Sequence, residues 1–125
     1  MDELLEERKK NILNILNSGI AKLYFLEKDE VKKGIMGQGI NNTAGFDLIS
    51  SSEFKTLCDG FNNIDRQRKT IETMHHNYER FQRNGNLVTD WTNDFMKQET
   101  ALTNYEDYFD KILNNIAISS LGKSI

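Results

Sequence analysis

The chain has 125 residues, a formal net charge of −3, one cysteine and no proline. This length suits a single domain with a moderate core, and one cysteine excludes an internal disulfide framework and a four-cysteine zinc site. The acidic balance argues against a general polyanion-binding protein. No apolar run approaches the roughly 18–20 residues of a membrane span, and the acidic N-terminus is unlike a secretory signal. We therefore expect one helical domain over residues 1–125, cytoplasmic and without a membrane span.

The first predicted element is an amphipathic helix over about residues 2–30. Its apolar side chains recur every three or four positions, which is the period of a helix with one buried face. Acidic residues in its first turns suit the positive end of the helix dipole, and Gly19 favours a kink inside it. The apolar stripe consists of Leu5, Ile12, Leu16, Ile20 and Leu23.

Residues 34–50 form a glycine- and asparagine-rich segment in which the helical pattern fails. Gly34, Gly37 and Gly39 favour chain reversal over a helix. The segment also contains Ile35, Met36 and Phe46, so it is too apolar for a solvated linker. We expect a loop that packs back onto the helices or binds a partner.

The second predicted helix covers about residues 51–83 and starts with a capping box, in which Ser50 is followed by Glu53. Its stripe has alternating steps of three and four, which is a coiled-coil period. The absence of proline is consistent with such a long uninterrupted helix. The stripe consists of Phe54, Leu57, Phe61, Ile64, Arg68, Ile71, His75, Tyr78 and Gln82.

A third helix is predicted over about residues 90–118, with Thr89 or Asp90 as its N-cap. The turn Asn84–Asn86 before it is short and polar, so the second and third helices should form an elongated antiparallel hairpin with heptad packing. The first helix would complete a three-helix bundle or pair with a partner. The stripe of the third helix consists of Trp91, Phe95, Gln98, Leu102, Tyr105, Phe109, Ile112 and Ile116.

Folding the second helix back onto the third predicts which residues face each other. Ile64 should meet Phe109, and Phe61 should meet Ile112. His75 should meet Gln98 in a polar layer that fixes the register of the hairpin. In the same register a basic cluster lies beside Glu106 and Asp107; it consists of Arg66, Arg68 and Lys69.

Candidate catalytic and cofactor motifs are incomplete. Glu72 and His75 have the Glu-x-x-His spacing of di-iron bundles, which require two copies, and the chain has one. Cys58 lies on the apolar side of its helix, where a thiol is usually inert. The glycines of residues 34–39 follow no strand, so they do not match a dinucleotide fingerprint. We therefore expect no enzyme activity, metal, cofactor or small-molecule substrate.

The pattern favours a non-enzymatic helical protein–protein interaction module: an adaptor, a chaperone-like partner or a subunit of a larger assembly that acts through coiled-coil surfaces, with a protein partner or self-association. The alternative is a nucleic-acid accessory factor that uses Arg66, Arg68 and Lys69, although acids on the third helix give these cations a simpler role. The candidate partner-binding residues are Leu5, Ile12, Leu16, Ile20, Leu23, Ile35, Met36, Phe46 and Tyr108.

The predicted hairpin, with Trp91 near its turn, resembles the small WXG-type substrates of type VII secretion over about residues 51–118. Thr92 and Asn93 follow the tryptophan, so the glycine of that motif is absent, and an additional helix precedes the hairpin. The resemblance implies a small secretion-associated helical-hairpin protein as a further alternative. It concerns architecture and gives no residue a role.

Overall fold

The structure, a computed structural model, describes residues 2–24, 26–40, 43–83 and 91–123. These residues form helices and no strand, so the all-α prediction is confirmed. Two predicted features lie outside the described residues: the turn Asn84–Asn86 and the cap at Thr89 or Asp90. The side chains of Gln82 and Trp91 also lie outside them. The elements are α1 (Asp2–Asn17), a 3-10 helix (Ile20–Leu23), α2 (Lys28–Gly37), a 3-10 helix (Phe46–Leu48), α3 (Ser51–Arg83) and α4 (Trp91–Lys123).

The prediction of one helix over residues 2–30 is wrong. Helix α1 ends at Asn17, and Gly19 follows in the left-handed region with φ of 93°. A glycine in this conformation ends a helix without the steric cost that a side chain would add. The Ser18 hydroxyl donates to the Ile15 carbonyl oxygen at 2.6 Å, which satisfies one free acceptor of the last turn.

The prediction of a loop over residues 34–50 is also wrong in its first part. Helix α2 continues through Gly34 to Gly37, and the left-handed turn comes later, at Gly39 with φ of 77°. The apolar side chains of Val31 and Ile35 are fully buried. Their burial outweighs the roughly 1 kcal/mol that a helical glycine costs relative to alanine.

The chain forms two compact units. The core unit contains residues 1–62 and 109–125, and the hairpin unit contains residues 63–108. Helices α3 and α4 each contribute residues to both units. The single domain expected from the chain length stays a prediction.

The core unit contains nearly all of the buried apolar side chains that the structure describes. The Phe46 and Phe54 rings meet edge to face with centroids 5.3 Å apart. The Asn62 amide donates to the Ala21 carbonyl oxygen at 2.7 Å, joining α3 to the N-terminal elements. The buried apolar residues are Ile12, Ile15, Leu16, Ile20, Ala21, Val31, Ile35, Phe46, Ile49, Phe54, Leu57, Cys58, Phe109, Leu113, Ile116 and Ala117.

Within the core unit, the register of α3 against α4 differs from the predicted one by about one helical turn. The Phe109 ring packs on Phe61, with ring centroids 6.3 Å apart, whereas the sequence placed Ile112 opposite Phe61. Phe109 also covers Gly60, where an added Cβ would lie 2.9 Å from the ring. The missing side chain at Gly60 therefore lets the two helices approach closely at this level.

The start of α3 has the predicted capping box. The Ser50 backbone N–H donates to Glu53 Oε1 at 3.0 Å, and the Glu53 N–H donates to the Ser50 hydroxyl at 3.1 Å. The hydrogen bond from the Ser50 backbone is the main reason why the pKa of Glu53 is lowered. Lys123 Nζ lies 3.5 Å from Glu53 and donates to the Leu48 carbonyl oxygen at 3.3 Å, so the end of α4 contacts the start of α3.

Candidate functional site

The hairpin unit has almost no core of its own. Among its described side chains, only Ile64 is buried, with 7% of its surface exposed. The remaining apolar side chains along the facing stripes are half-buried, which is what two packed helices achieve without a third element over them. The half-buried residues are Ile71, Met74, Tyr78, Phe95, Ala101 and Leu102.

Several large apolar side chains of this unit are exposed instead of half-buried. Phe81 and Tyr105 keep 40% and 42% of their surface accessible, and Tyr108 keeps 65%. Met96 is also exposed, at 59%. Single exposed apolar residues are ordinary in proteins, whereas several on one side of a helix pair are typical of an interaction surface.

Beyond Ile64, the predicted stripe of α3 is half-buried at Ile71 and Tyr78 but not at Arg68 and His75. Gln67 and Met74 are half-buried, whereas Arg68 and His75 are exposed. Both series have steps of three and four, so spacing alone does not distinguish them. The structure buries the apolar thioether and the neutral amide because a guanidinium and an imidazole cost more to desolvate.

The predicted polar layer of His75 and Gln98 is therefore wrong. Gln98 pairs with Gln67, whose Nε2 donates to the Gln98 side-chain oxygen at 2.6 Å and to its backbone carbonyl oxygen at 3.2 Å. His75 Nε2 lies 3.3 Å from a Glu79 carboxylate oxygen, and the side chain is 62% exposed. A polar layer does join α3 to α4, but two glutamines form it.

Two contacts between α3 and α4 define the two sides of the hairpin unit. One is the Gln67–Gln98 hydrogen bond. The other is the ion pair of Arg68 with Glu106, 3.1 Å long. Because Arg68 lies roughly 100° further round α3 than Gln67, the ion pair runs along the opposite side of the helix pair from the two glutamines.

Helical periodicity extends the glutamine side along both helices. Residues seven positions apart lie on one stripe of a helix, so Met74 and Phe81 continue the line of Gln67. On α4, steps of three and four from Gln98 continue the same side to Tyr108. We call this surface the Gln face; it consists of Gln67, Met74 and Phe81 of α3 and Gln98, Ala101, Tyr105 and Tyr108 of α4.

The two sides of the hairpin unit differ in charge. On α3, the residues that flank the Gln face are uncharged: Asn63, Thr70 and Asn77. On α4, Asp94 lies four positions before Gln98 and Lys97 lies four positions before Ala101, so the helical period places both charged residues on this face. The opposite side, which we call the Arg face, is rich in ionisable residues; it contains Arg68, Glu72, His75, Glu79, Glu99 and Glu106.

The basic cluster of α3 is engaged by neighbouring side chains. Of the cluster that the sequence placed beside Glu106 and Asp107, Arg68 pairs with Glu106. Lys69 Nζ lies 3.1 Å from Asp65 on the next turn, and the Arg66 guanidinium donates to the Asn63 side-chain oxygen. These exposed contacts contribute little stability each. A nucleic-acid role for the cluster stays a prediction.

The structure divides the predicted partner-binding residues into two groups. Five of them are buried and belong to the core; these are Ile12, Leu16, Ile20, Ile35 and Phe46. Leu5 is half-buried. Leu23, Met36 and Tyr108 are exposed. Among these three, Tyr108 alone lies on the Gln face.

Sequence reasoning missed Met74, Phe81 and Ala101 as surface candidates. A second heptad series through Gln67, Met74 and Phe81 was available in the sequence, in phase with the apolar Ile64 and Ile71. Two of the three residues in this series, Met74 and Phe81, are apolar, and this pattern indicates a surface stripe. For Ala101 the sequence gives no comparable signal, because alanine is common on every face of a helix.

The Cys58 side chain is fully buried in the core unit. Burial, with the nearby carboxylate of Asp59, raises the pKa of its thiol to about 12. A thiol in this state is neither a nucleophile nor a metal ligand at neutral pH. Among the described residues, no group of three or more histidine, cysteine, aspartate or glutamate side chains is arranged to hold a metal ion.

Comparison of the chain with protein-family models, curated proteins and solved structures gives no match. Within the described residues, no helix combines the length and the apolar character that crossing a membrane requires.

Proposed function

We propose that the chain is a non-enzymatic helical interaction module that binds a protein partner through the Gln face. The observation that carries the proposal is the distribution of buried side chains. Sixteen apolar residues are buried in the core unit, and Ile64 alone is buried among the described side chains of the hairpin unit. A helix pair with half-covered apolar stripes is stabilised by a further helical surface that covers them.

The magnitude of the uncovered surface supports a specific contact. Phe81, Tyr105 and Tyr108 keep 40%, 42% and 65% of their surface exposed. With roughly 200 Å² for each aromatic side chain, this leaves about 300 Å² accessible. Covering that area is worth up to about 7 kcal/mol at ~25 cal/mol per Å². The cost of association is of the same order, so net affinity requires that the partner also packs on the half-buried side chains of the two stripes.

The composition of the Gln face supports a helical partner. Its amide side chains both donate and accept hydrogen bonds, and the tyrosines combine an apolar ring with a hydroxyl at the edge. Such mixed surfaces of aromatic and neutral polar groups are typical of protein interfaces, which exclude charge from their centre.

Site-specific photocrosslinking in cells of the native source tests this function. A benzoylphenylalanine replaces Tyr108 on the Gln face in one variant and Met96 in the control. The two positions have similar exposure, at 65% and 59%, and Met96 lies on the far side of α4 from Gln98, roughly 160° away. We expect a discrete adduct from position 108 and none from position 96. Equal adducts from both positions, or no adduct from position 108, would contradict the proposal.

A further inference from the structure

We infer that the occupant of the Gln face is an amphipathic helix of another protein, with an apolar stripe that packs on the face and carboxylates along both flanks of that stripe. This inference rests on the proposed function, because it names the chemistry of the partner of the same surface. The observation that supports it is a set of exposed cations that border the Gln face on both helices.

Two arginines border the Gln face on α3. Arg66 lies four positions before Thr70, and Arg80 lies three positions after Asn77. The helical period therefore places both arginines next to the uncharged residues that flank the face. Both side chains are exposed. Arg66 and Arg80 lie two heptads apart, so they share one stripe of α3 and are separated by about 21 Å along it.

A lysine borders the Gln face on α4. Lys97 is exposed, and it belongs to the other helix of the pair, so cations lie along both margins of the face. We call Arg66, Arg80 and Lys97 the basic margins. Asp94 is the one carboxylate that the helical period places on this side among the described residues of the hairpin unit. The three cations therefore leave this side with a net positive charge.

The basic margins have no carboxylate partner within the described part of the chain. The Arg66 guanidinium donates to the neutral side-chain oxygen of Asn63, which leaves its charge uncompensated. Arg80 and Lys97 form no ion pair with any described residue. Arg68, on the opposite side of the hairpin unit, does pair with a carboxylate. The cations that are available to an approaching anionic surface therefore lie beside the Gln face.

The positive charge is local to this side of the hairpin unit. The Arg face contains four glutamates and one arginine, and the whole chain has a net charge of −3. The side that carries the exposed aromatic rings thus has the opposite sign to the rest of the molecule. Protein interfaces commonly have an apolar centre and a polar rim, and complementary charge at the rim selects the partner. An acidic partner matches this pattern.

The positions of the basic margins specify the partner further. A helix that packs its apolar stripe between α3 and α4 presents one flank to each of them. Carboxylates two heptads apart on one flank would meet Arg66 and Arg80, and a carboxylate on the other flank would meet Lys97. A second copy packed Gln face to Gln face fits less well, because a two-fold axis brings basic margins against basic margins.

Fluorescence anisotropy of two designed helical peptides with the full chain tests the inference. Both peptides have the same stripe of leucine and isoleucine over about four heptads, and the flanking positions are glutamate in one and lysine in the other. We expect the glutamate peptide to bind at least about tenfold more tightly, because it pairs with the basic margins while the lysine peptide is repelled. The difference should shrink as the ionic strength rises from about 0.05 to 0.5 M.

Two variants with the same substitution locate the effect. Lys97→Glu reverses the charge of one margin and should reduce the preference for the glutamate peptide at least about threefold. Lys69→Glu makes the same change on the outward side of α3, roughly 160° from the half-buried Ile71, and should keep the wild-type preference. Circular dichroism checks that both variants keep the wild-type helix content.

Three results would overturn the inference: equal or tighter binding of the lysine peptide, binding of neither peptide, and an equal effect of the two variants. The photocrosslinked adduct separates this failure from a failure of the proposed function. A position-108 adduct whose mapped segment lacks flanking carboxylates, or whose mass is twice 14.5 kDa, rejects the acidic helix and leaves the proposed function standing. The absence of an adduct rejects both.

Discussion

Replacing Gly34 by alanine should stabilise the protein, although the sequence pattern places this glycine in a loop. In the structure Gly34 lies inside α2. An added Cβ would lie 3.8 Å from Ile20 Cδ1, which is an ordinary van der Waals contact. The substitution therefore gains the helix propensity of alanine, about 1 kcal/mol, without a clash.

The same substitution at Gly60 should have the opposite sign. Gly60 also lies inside a helix, but its added Cβ would lie 2.9 Å from Phe109 Cδ2. The Phe109 ring is 7% exposed and packs on Phe61, so it has little room to retreat. Overpacking of this kind costs about 1–3 kcal/mol, which exceeds the ~1 kcal/mol gain in propensity. Gly60→Ala should therefore lower the free energy of unfolding by about 1 kcal/mol.

Urea denaturation of the wild type and both variants measures the two effects. We expect a higher midpoint for Gly34→Ala, a lower one for Gly60→Ala, and an unchanged slope for both, since a change in slope would indicate a different unfolded or native state. If Gly34→Ala lowers the midpoint, α2 does not extend through residue 34. If Gly60→Ala raises it, the close approach of Phe109 to α3 is wrong.

Three further predictions concern the core unit and its contrast with the hairpin unit. Cys58, whose pKa is raised to about 12 by burial, should not react with a disulfide reagent at pH 8 until the protein is unfolded; fast reaction in the native state would contradict its burial. Glu53→Gln should lower the free energy of unfolding by about 0.5 kcal/mol at pH 7. Because the folded pKa of Glu53 lies below its ordinary value of 4.5, this cost should disappear as the pH falls through that lowered value, and a cost unchanged at pH 2 would refute it. Leu16→Ala should lower the free energy of unfolding by about 2–5 kcal/mol, and Ile71→Ala should lower it clearly less. Denaturation at low protein concentration measures both values. Equal losses would mean that the hairpin unit has a core of its own.

The sequence was sufficient for the two long helices. Helices α3 and α4 and the Ser50–Glu53 capping box follow from local spacing and cap chemistry. These features depend on residues close together in the chain or on long periodic segments, where patterns are most informative.

Features that depend on tertiary packing were not predictable. Helix α2 forms through Gly34 because the burial of Ile35 outweighs glycine's low propensity, and propensity alone gives the opposite result. The stripe through Gln67 instead of Arg68 follows from the relative cost of burying the two side chains against α4. Both heptad series fit the same spacing, so the register and the site that depends on it required the structure.

Hydrogen–deuterium exchange tests most directly whether the hairpin unit lacks a core of its own. Amides of residues 63–81 and 93–108 should exchange several-fold faster than amides of residues 12–16 in the core unit, because few buried side chains oppose the local opening of the hairpin unit. Equal protection of the two units would contradict the account.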